Sequence, residues 1–285
     1  MKVVDTFKKD KLTFSFEFFP PKTEDQENNL FYVISELKNF KPDFVSVTYG
    51  AMGTTRDKTF LWSQKIKDEF NIEPVVHLTC VCADKETVKN QIEELRRIGI
   101  ENILALRGDP PIEGIYTPPQ NGFLYAKDLV SFVKEIACDF CVGVAGFPEG
   151  HCSISDLSVD TKYLREKIDA GADYVITQMF FDNRYFFDFK ERCAKKEISV
   201  PIIPGIMPIT SVGQIKKMTQ ICGATIPKKL LDAIEKHASD PVSVMQIGVE
   251  QAISQCKELI KNNIQGLHFF VMNQSGPISR VLSAL

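Results

Sequence analysis

The chain has 285 residues, 44% of them hydrophobic and 25% charged, which suits a soluble globular protein long enough to bury a sizeable core. A net charge of -3 argues against a nucleic-acid partner, which would favour a basic face; the lysine runs at Lys8–Lys11 and Lys228–Lys229 are short and read as solvated surface. No apolar stretch reaches bilayer length and the opening MKVVDTFKKDK lacks a secretory leader's apolar core, so a cytoplasmic protein without membrane contact is expected.

The first predicted element is a strand over 12–19, LTFSFEFF. Alternation puts Phe14, Phe16 and Phe18 on one face and Ser15, Glu17 and Phe19 on the other, before two prolines end the run. An isolated buried carboxylate is costly, so Glu17 must be ion-paired, neutral or beside a wet cavity. Further strands are predicted at 43–50, 73–80, 102–109, 139–147, 173–181, 199–207 and 266–273. Helical periodicity fills the intervals, as in 86–99 and 159–171, each closed by glycine, and in 242–262. Eight strand-helix units in a chain of this length give the α/β class and the (β/α)8 TIM barrel, read as one catalytic domain over 1–285. A doubly wound sheet would commonly carry a glycine-rich turn after its first strand. Here that turn reads FFPPKTEDQ, and no Walker sequence occurs. The barrel is the expected fold.

Active sites of such barrels lie at the carboxyl ends of the strands. There the sequence sets Glu17, then Thr48 to Gly50, His77 with Thr79, Arg107 to Asp109, and Gln178. Within each predicted strand the polar residues share a face: Ser46 with Thr48, His77 with Thr79, Arg107 with Asp109. They predict one polar cavity, to which Glu17 belongs. Of the eight cysteines, Cys138 and Cys141 form a C-x-x-C with no second pair or nearby histidine, so no metal site is expected. Cys141 reads as a packed small hydrophobe, and reduced thiols are the expected state.

The segments FSFEFFPPKT, FVSVTYGAMGTTRD, HLTC, LALRGDPP, GFPEGH and ITQMFFD resemble, in order and spacing, the motifs of methylenetetrahydrofolate reductases. The resemblance runs from about Phe14 to about Asn273 and is to the short bacterial type, without the regulatory domain that binds S-adenosylmethionine in larger relatives. It implies an oxidoreductase of one-carbon metabolism and methionine biosynthesis, forming homo-oligomers. NADH or NADPH would reduce FAD, and the flavin would in turn reduce 5,10-methylenetetrahydrofolate to 5-methyltetrahydrofolate in a ping-pong scheme. Glu17 matches the family's general acid, with a pKa expected to be raised by aromatic walls. Asp109 matches the aspartate beside flavin and pterin. For FAD the resemblance carries Tyr49, Ala51, His77, Arg107, Gly108, Asp109, Tyr125, Ala126, Phe147, His151, Asp160 and Lys167, with Arg107 and Lys167 suited to the diphosphate. For the substrates it carries Thr48, Asp109, Gln178, Phe270 and Gln274.

The chain also departs from the pattern. FVMNQ at 270–274 stands where the family often reads Tyr-Thr-Leu-Asn-Arg, so Phe270 lacks a hydroxyl and Gln274 replaces an arginine expected to meet folate's acidic tail. Arg280 is the substitute nearest in sequence. Phe147 stands where tyrosine is also common, and Cys152 where proline is usual. The rival readings are a flavin-free pterin-binding barrel such as a corrinoid-dependent folate methyltransferase, a Schiff-base aldolase (against which the absence of a lysine at the inward strand positions argues), and a flavin- or folate-binding relative without turnover.

Overall fold

The computed structural model describes residues 1–7, 11–48, 56–109 and 119–285. Eight strands, β1 (Thr13–Phe18), β2 (Phe44–Val47), β3 (Glu73–Thr79), β4 (Asn102–Leu106), β5 (Cys141–Gly146), β6 (Tyr174–Met179), β7 (Ile202–Ile206) and β8 (Gly266–Phe270), pair in parallel and in chain order. Pairing of β8 with β1 closes the barrel. The helices are α1 (Glu24–Leu37), α2 (Arg56–Phe70), α3 (Lys85–Arg97), α4 (Ala126–Ile136), α5 (Leu157–Asp169), α6 (Asn183–Lys195), α7 (Val212–Cys222), α8 (Lys228–Lys236), α9 (Pro241–Lys261) and α10 (Ser275–Leu282). Side-chain oxygens of Thr23, Asp84, Asp156, Asp182, Ser211 and Asp240 accept from first-turn amides and fix where six of these helices begin.

Strand alternation divides the core in two. Outward residues such as Phe16, Phe18, Val45, Val47, Val76 and Leu78 are buried against the helices. Inside the barrel, Phe44, Val75, Leu104, Cys141, Tyr174 and Ile203 make a separate apolar cluster. Val3, which opens a short 3-10 turn, and Phe7, which follows it, join that cluster. The turn is held there by Asn102, whose Oδ1 accepts from the Val3 amide at 2.8 Å and whose Nδ2 donates to the Met1 carbonyl at 2.8 Å. Cys141 packs in this cluster, and burial pushes its thiol up to about 12. Nearer the strand carboxyl ends the inward positions turn polar: Ser15 and Glu17, Ser46, His77 and His268. No helix among the described residues is long and apolar enough to cross a membrane.

Candidate functional site

Three strands converge on one carboxylate oxygen. Glu17 Oε2 lies 3.1 Å from His77 Nε2 and 3.4 Å from His268 Nε2, and it accepts from the Ser46 hydroxyl at 3.4 Å. Ser15 Oγ and His268 Nδ1 share a hydrogen bond of 2.8 Å. A neutral His268 in this chain accepts from Ser15 and donates to Glu17. The pairing follows from register, since Ser15 stands beside His268 and Glu17 beside both Ser46 and Phe270. Glu17 Oε1 has no hydrogen-bond donor among the described residues and is the oxygen left to meet a ligand. The side chain is 13% exposed.

The electrostatics correct one expectation. Burial does push the Glu17 carboxyl up, but His77 at 3.1 Å and the hydrogen bond with His268 outweigh it and hold the group well below the usual carboxylate range. Phe16 and Phe18 lie on the opposite face, as alternation predicts, and are buried against the helices. Beside Glu17 stand two imidazoles and the Phe270 ring. His268 was not singled out in the sequence, although the inward alternation that selects His77 on β3 selects His268 in GLHFF on β8.

Beside this cluster, over the carboxyl ends of β4 and β5, opens a cavity of about 750 Å³, within the range of small-molecule and cofactor sites. Arg107, Gly108, Asp109, Tyr125, Ala126, Phe147, His151, Asp160, Lys167 and Gln178 all line it. Strand β4 stops at Leu106, three residues short of its predicted end. Arg107 and Asp109 therefore reach the cavity through a turn rather than by strand alternation. Gly108 makes that turn at φ +79°, and a Cβ there would press to 3.1 Å from Thr79 Cβ. His77, expected at the flavin, is engaged with Glu17 instead and does not line the cavity. Tyr49 and Ala51 lie outside the described residues.

The cavity lining carries charges of both signs, Arg107, Lys127 and Lys167 together with Asp109, Asp160 and Glu166. Lys167 is pulled down to about 8 by burial, with Asp160 pushing back, and its Nζ donates only to the Ala145 carbonyl, at 2.5 Å. Neither Lys167 nor Arg107 forms a salt bridge with a carboxylate of the described residues. Asp160 is buried and accepts from the His151 amide at 3.3 Å; burial raises its carboxyl and lowers the His151 imidazole. Phe147 and His151 stack edge to face at 4.9 Å. Thr48 Oγ1, outside the cavity lining, is buried without a partner among the described residues. Two cations without a salt bridge among the described residues and a glycine turn suit a cofactor with a diphosphate. No group of three or more metal-ligating side chains occurs among the described residues.

The candidate substrate residues divide. Gln178 lines the cavity, its Oε1 accepting from the Met179 amide at 2.9 Å. Phe270 ends β8 beside Glu17 and meets His268 edge to face at 5.3 Å. Gln274 is exposed at the start of α10. Arg280 sits in the last turn of α10, bonded to Gln246 of α9. Of the two, Gln274 is at the strand-carboxyl rim.

Comparison with known proteins agrees with this geometry. The chain is 37% identical to the 5,10-methylenetetrahydrofolate reductases of Escherichia coli and Pectobacterium carotovorum, over 93% of its own length and 88% and 87% of theirs. Methylenetetrahydrofolate reductase 1 of Schizosaccharomyces pombe is also 37% identical, over 97% of this chain but 46% of that protein, so the chain spans about half the length of such relatives. Among solved structures, a Clostridium thermocellum protein that binds two copies of 5-methyl-5,6,7,8-tetrahydrofolic acid shares the fold at 18% identity and a TM-score of 0.70, over 98% of this chain and 95% of that one. The family model for methylenetetrahydrofolate reductase matches residues 2–285, and the chain belongs to that family.

Proposed function

We propose that this chain reduces 5,10-methylenetetrahydrofolate to 5-methyltetrahydrofolate, with FAD in the cavity and NADH or NADPH as donor. The observation that carries the reading is the pairing of two features at one mouth: a carboxylate held by two histidines, and a cavity with two cations that lack carboxylate partners. FAD, when bound, supplies the two-electron relay between nicotinamide and folate. Arg107 and Lys167 would hold its diphosphate, and Asp160 would take hydroxyls of the ribityl or ribose portion. Asp109, exposed at the cavity wall, would set a negative charge near the bound isoalloxazine and tune the flavin's potential.

Opening the bridged methylene requires a proton on a folate nitrogen, so that the carbon becomes an electrophilic iminium. In the ligand-free protein Glu17 is held as a carboxylate, so it must take up a proton before it can pass one to the folate nitrogen. Folate binding covers the mouth and removes water, which favours moving the proton onto Glu17 and from there to the nitrogen. Phe270 offers a ring beside Glu17 for the pterin, and Gln178 an amide.

The test is direct. Purified protein is expected to be yellow, to bleach anaerobically with NADH or NADPH, and to regain its colour with methylenetetrahydrofolate while 5-methyltetrahydrofolate forms. A colourless protein that ignores added FAD, or a bleached one that the folate leaves unchanged, would overturn the proposal.

A further inference from the structure

Two thiols face the same cavity from different elements. Cys152 lies in the loop between β5 and α5 and is exposed; Cys222 is the last residue of α7 and is half-buried. Both line the cavity wall, and neither is in a disulfide. The two segments already touch. Both Glu149 carboxylate oxygens lie 3.1 Å from the Thr225 amide that donates to them. A Cβ built on Gly223, the residue after Cys222, would sit 3.5 Å from Cys152 Cβ.

We propose that Cys152 and Cys222 are an oxidisable pair, and that their disulfide fastens the β5–α5 loop to the end of α7 and closes the rim of the cavity. The effect on cofactor exchange rests on the function proposed above; the disulfide itself does not.

The roles within the pair follow from their surroundings. Cys152 is open to solvent, so its thiolate is the one a peroxide meets. Its sulfur bonds to one peroxide oxygen as the O–O bond breaks, giving a sulfenic acid and one water. Cys222, whose thiol is pushed up chiefly by burial, suits the resolving part: its sulfur displaces the hydroxyl, the S–S bond forms and a second water leaves. Two thiols and one hydrogen peroxide thus give one disulfide and two waters, with two electrons passing from sulfur to oxygen. The remaining thiols are poorly placed to compete. Cys80, Cys141, Cys193 and Cys256 are buried, with thiols pushed up to about 11 or 12, and Cys82 and Cys138 are exposed while their neighbours in sequence, Cys80 and Cys141, are not.

The experiment treats the reduced, cofactor-loaded protein with hydrogen peroxide, blocks free thiols and maps peptides by mass. A peptide pair joined through Cys152 and Cys222, reversed by dithiothreitol and absent from Cys152→Ser and Cys222→Ser, is the expected result. Flavin release on dilution should be roughly tenfold slower in the oxidised protein than in the same sample after reduction. Absence of the cross-linked peptide from oxidised wild-type protein overturns the pair, whatever the variants do. A cross-link that leaves flavin release unchanged overturns the closing of the rim. The peptide map needs no colour, so loss of the flavin reading would leave the thiol result legible.

Discussion

Glu17 keeps its charge at a site where burial alone would remove it, and the two imidazoles beside it are the reason. Replacing the carboxylate with an amide of the same shape keeps the packing and removes both the charge and the group through which the proton would pass. Glu17→Gln is therefore expected to slow reoxidation of reduced protein by methylenetetrahydrofolate by about 10²- to 10⁴-fold, the usual contribution of a positioned acid, and to leave bleaching by NADH or NADPH near wild type. Rapid-mixing absorbance of the two half-reactions separates these effects, and equal losses in both would count against the assignment. Lys167 carries the opposite problem, a cation whose pKa burial has brought down to about 8. A bound diphosphate would hold its proton on, so the free protein must gain a proton to bind as pH rises past 8. FAD affinity of the stripped protein should then be level below pH 7 and fall by up to about tenfold per unit above 8. Lys167→Met should bind more weakly at pH 7 and lose this slope, which fluorescence titration from pH 6.5 to 9 would read.

At the scale of elements, the loop after β5 holds much of the cavity wall and is itself held from outside. Arg192 on α6 donates to the Pro148 carbonyl at 2.7 Å and to Thr161 Oγ1 at 2.9 Å, while Asp188 steadies the guanidinium at 2.8 Å. Arg192→Ala leaves these acceptors on α5 and its preceding loop without their donor. It should cost about 1–3 kcal/mol in chemical denaturation and weaken FAD binding, because Phe147 and His151 share the freed segment; unchanged values of both would refute the tether. Arg192 carried no signal in the sequence, where a helical arginine reads as solvated surface. The strands were legible as short β-branched and aromatic runs, buried along most of their length, and the barrel followed from their count. Their ends were less so. The runs at 43–50 and 102–109 stop at Val47 and Leu106, and at β4 Arg107, Gly108 and Asp109 lie beyond the strand. Motif resemblance found the cavity residues, yet the Glu17 pairing depended on register between β1 and β8, at opposite ends of the chain. Pairwise neighbours of that kind set a pKa, and composition alone carries no trace of them.

On the scale of the whole molecule, the barrel divides its labour along its axis: apolar filling at the strand amino ends and chemistry at the carboxyl ends. The filling turns on one close approach. Tyr174, fully buried, lays its ring across Gly143 on the neighbouring strand, where an added Cβ would come within 2.4 Å of Tyr174 Cζ. The same ring lies 5.4 Å from Phe7 and 6.4 Å from Phe44, so a shift to admit one methyl group propagates into the segment that stops the barrel. Gly143→Ala should therefore cost roughly 1–3 kcal/mol or more by overpacking. Tyr174→Leu removes the clashing atoms and pays separately in lost contacts. The double variant is expected to be more stable than the sum of the single losses allows, with a coupling of about 1–3 kcal/mol for side chains in direct contact, measured by urea denaturation of all four proteins. Additive losses would mean that the ring yields elsewhere and that Gly143 serves the strand rather than the filling. Because Glu17 and Lys167 lie toward the other end, any folded member of the set should keep the flavin affinity and half-reaction rates of wild type, which separates stability from chemistry along a single axis.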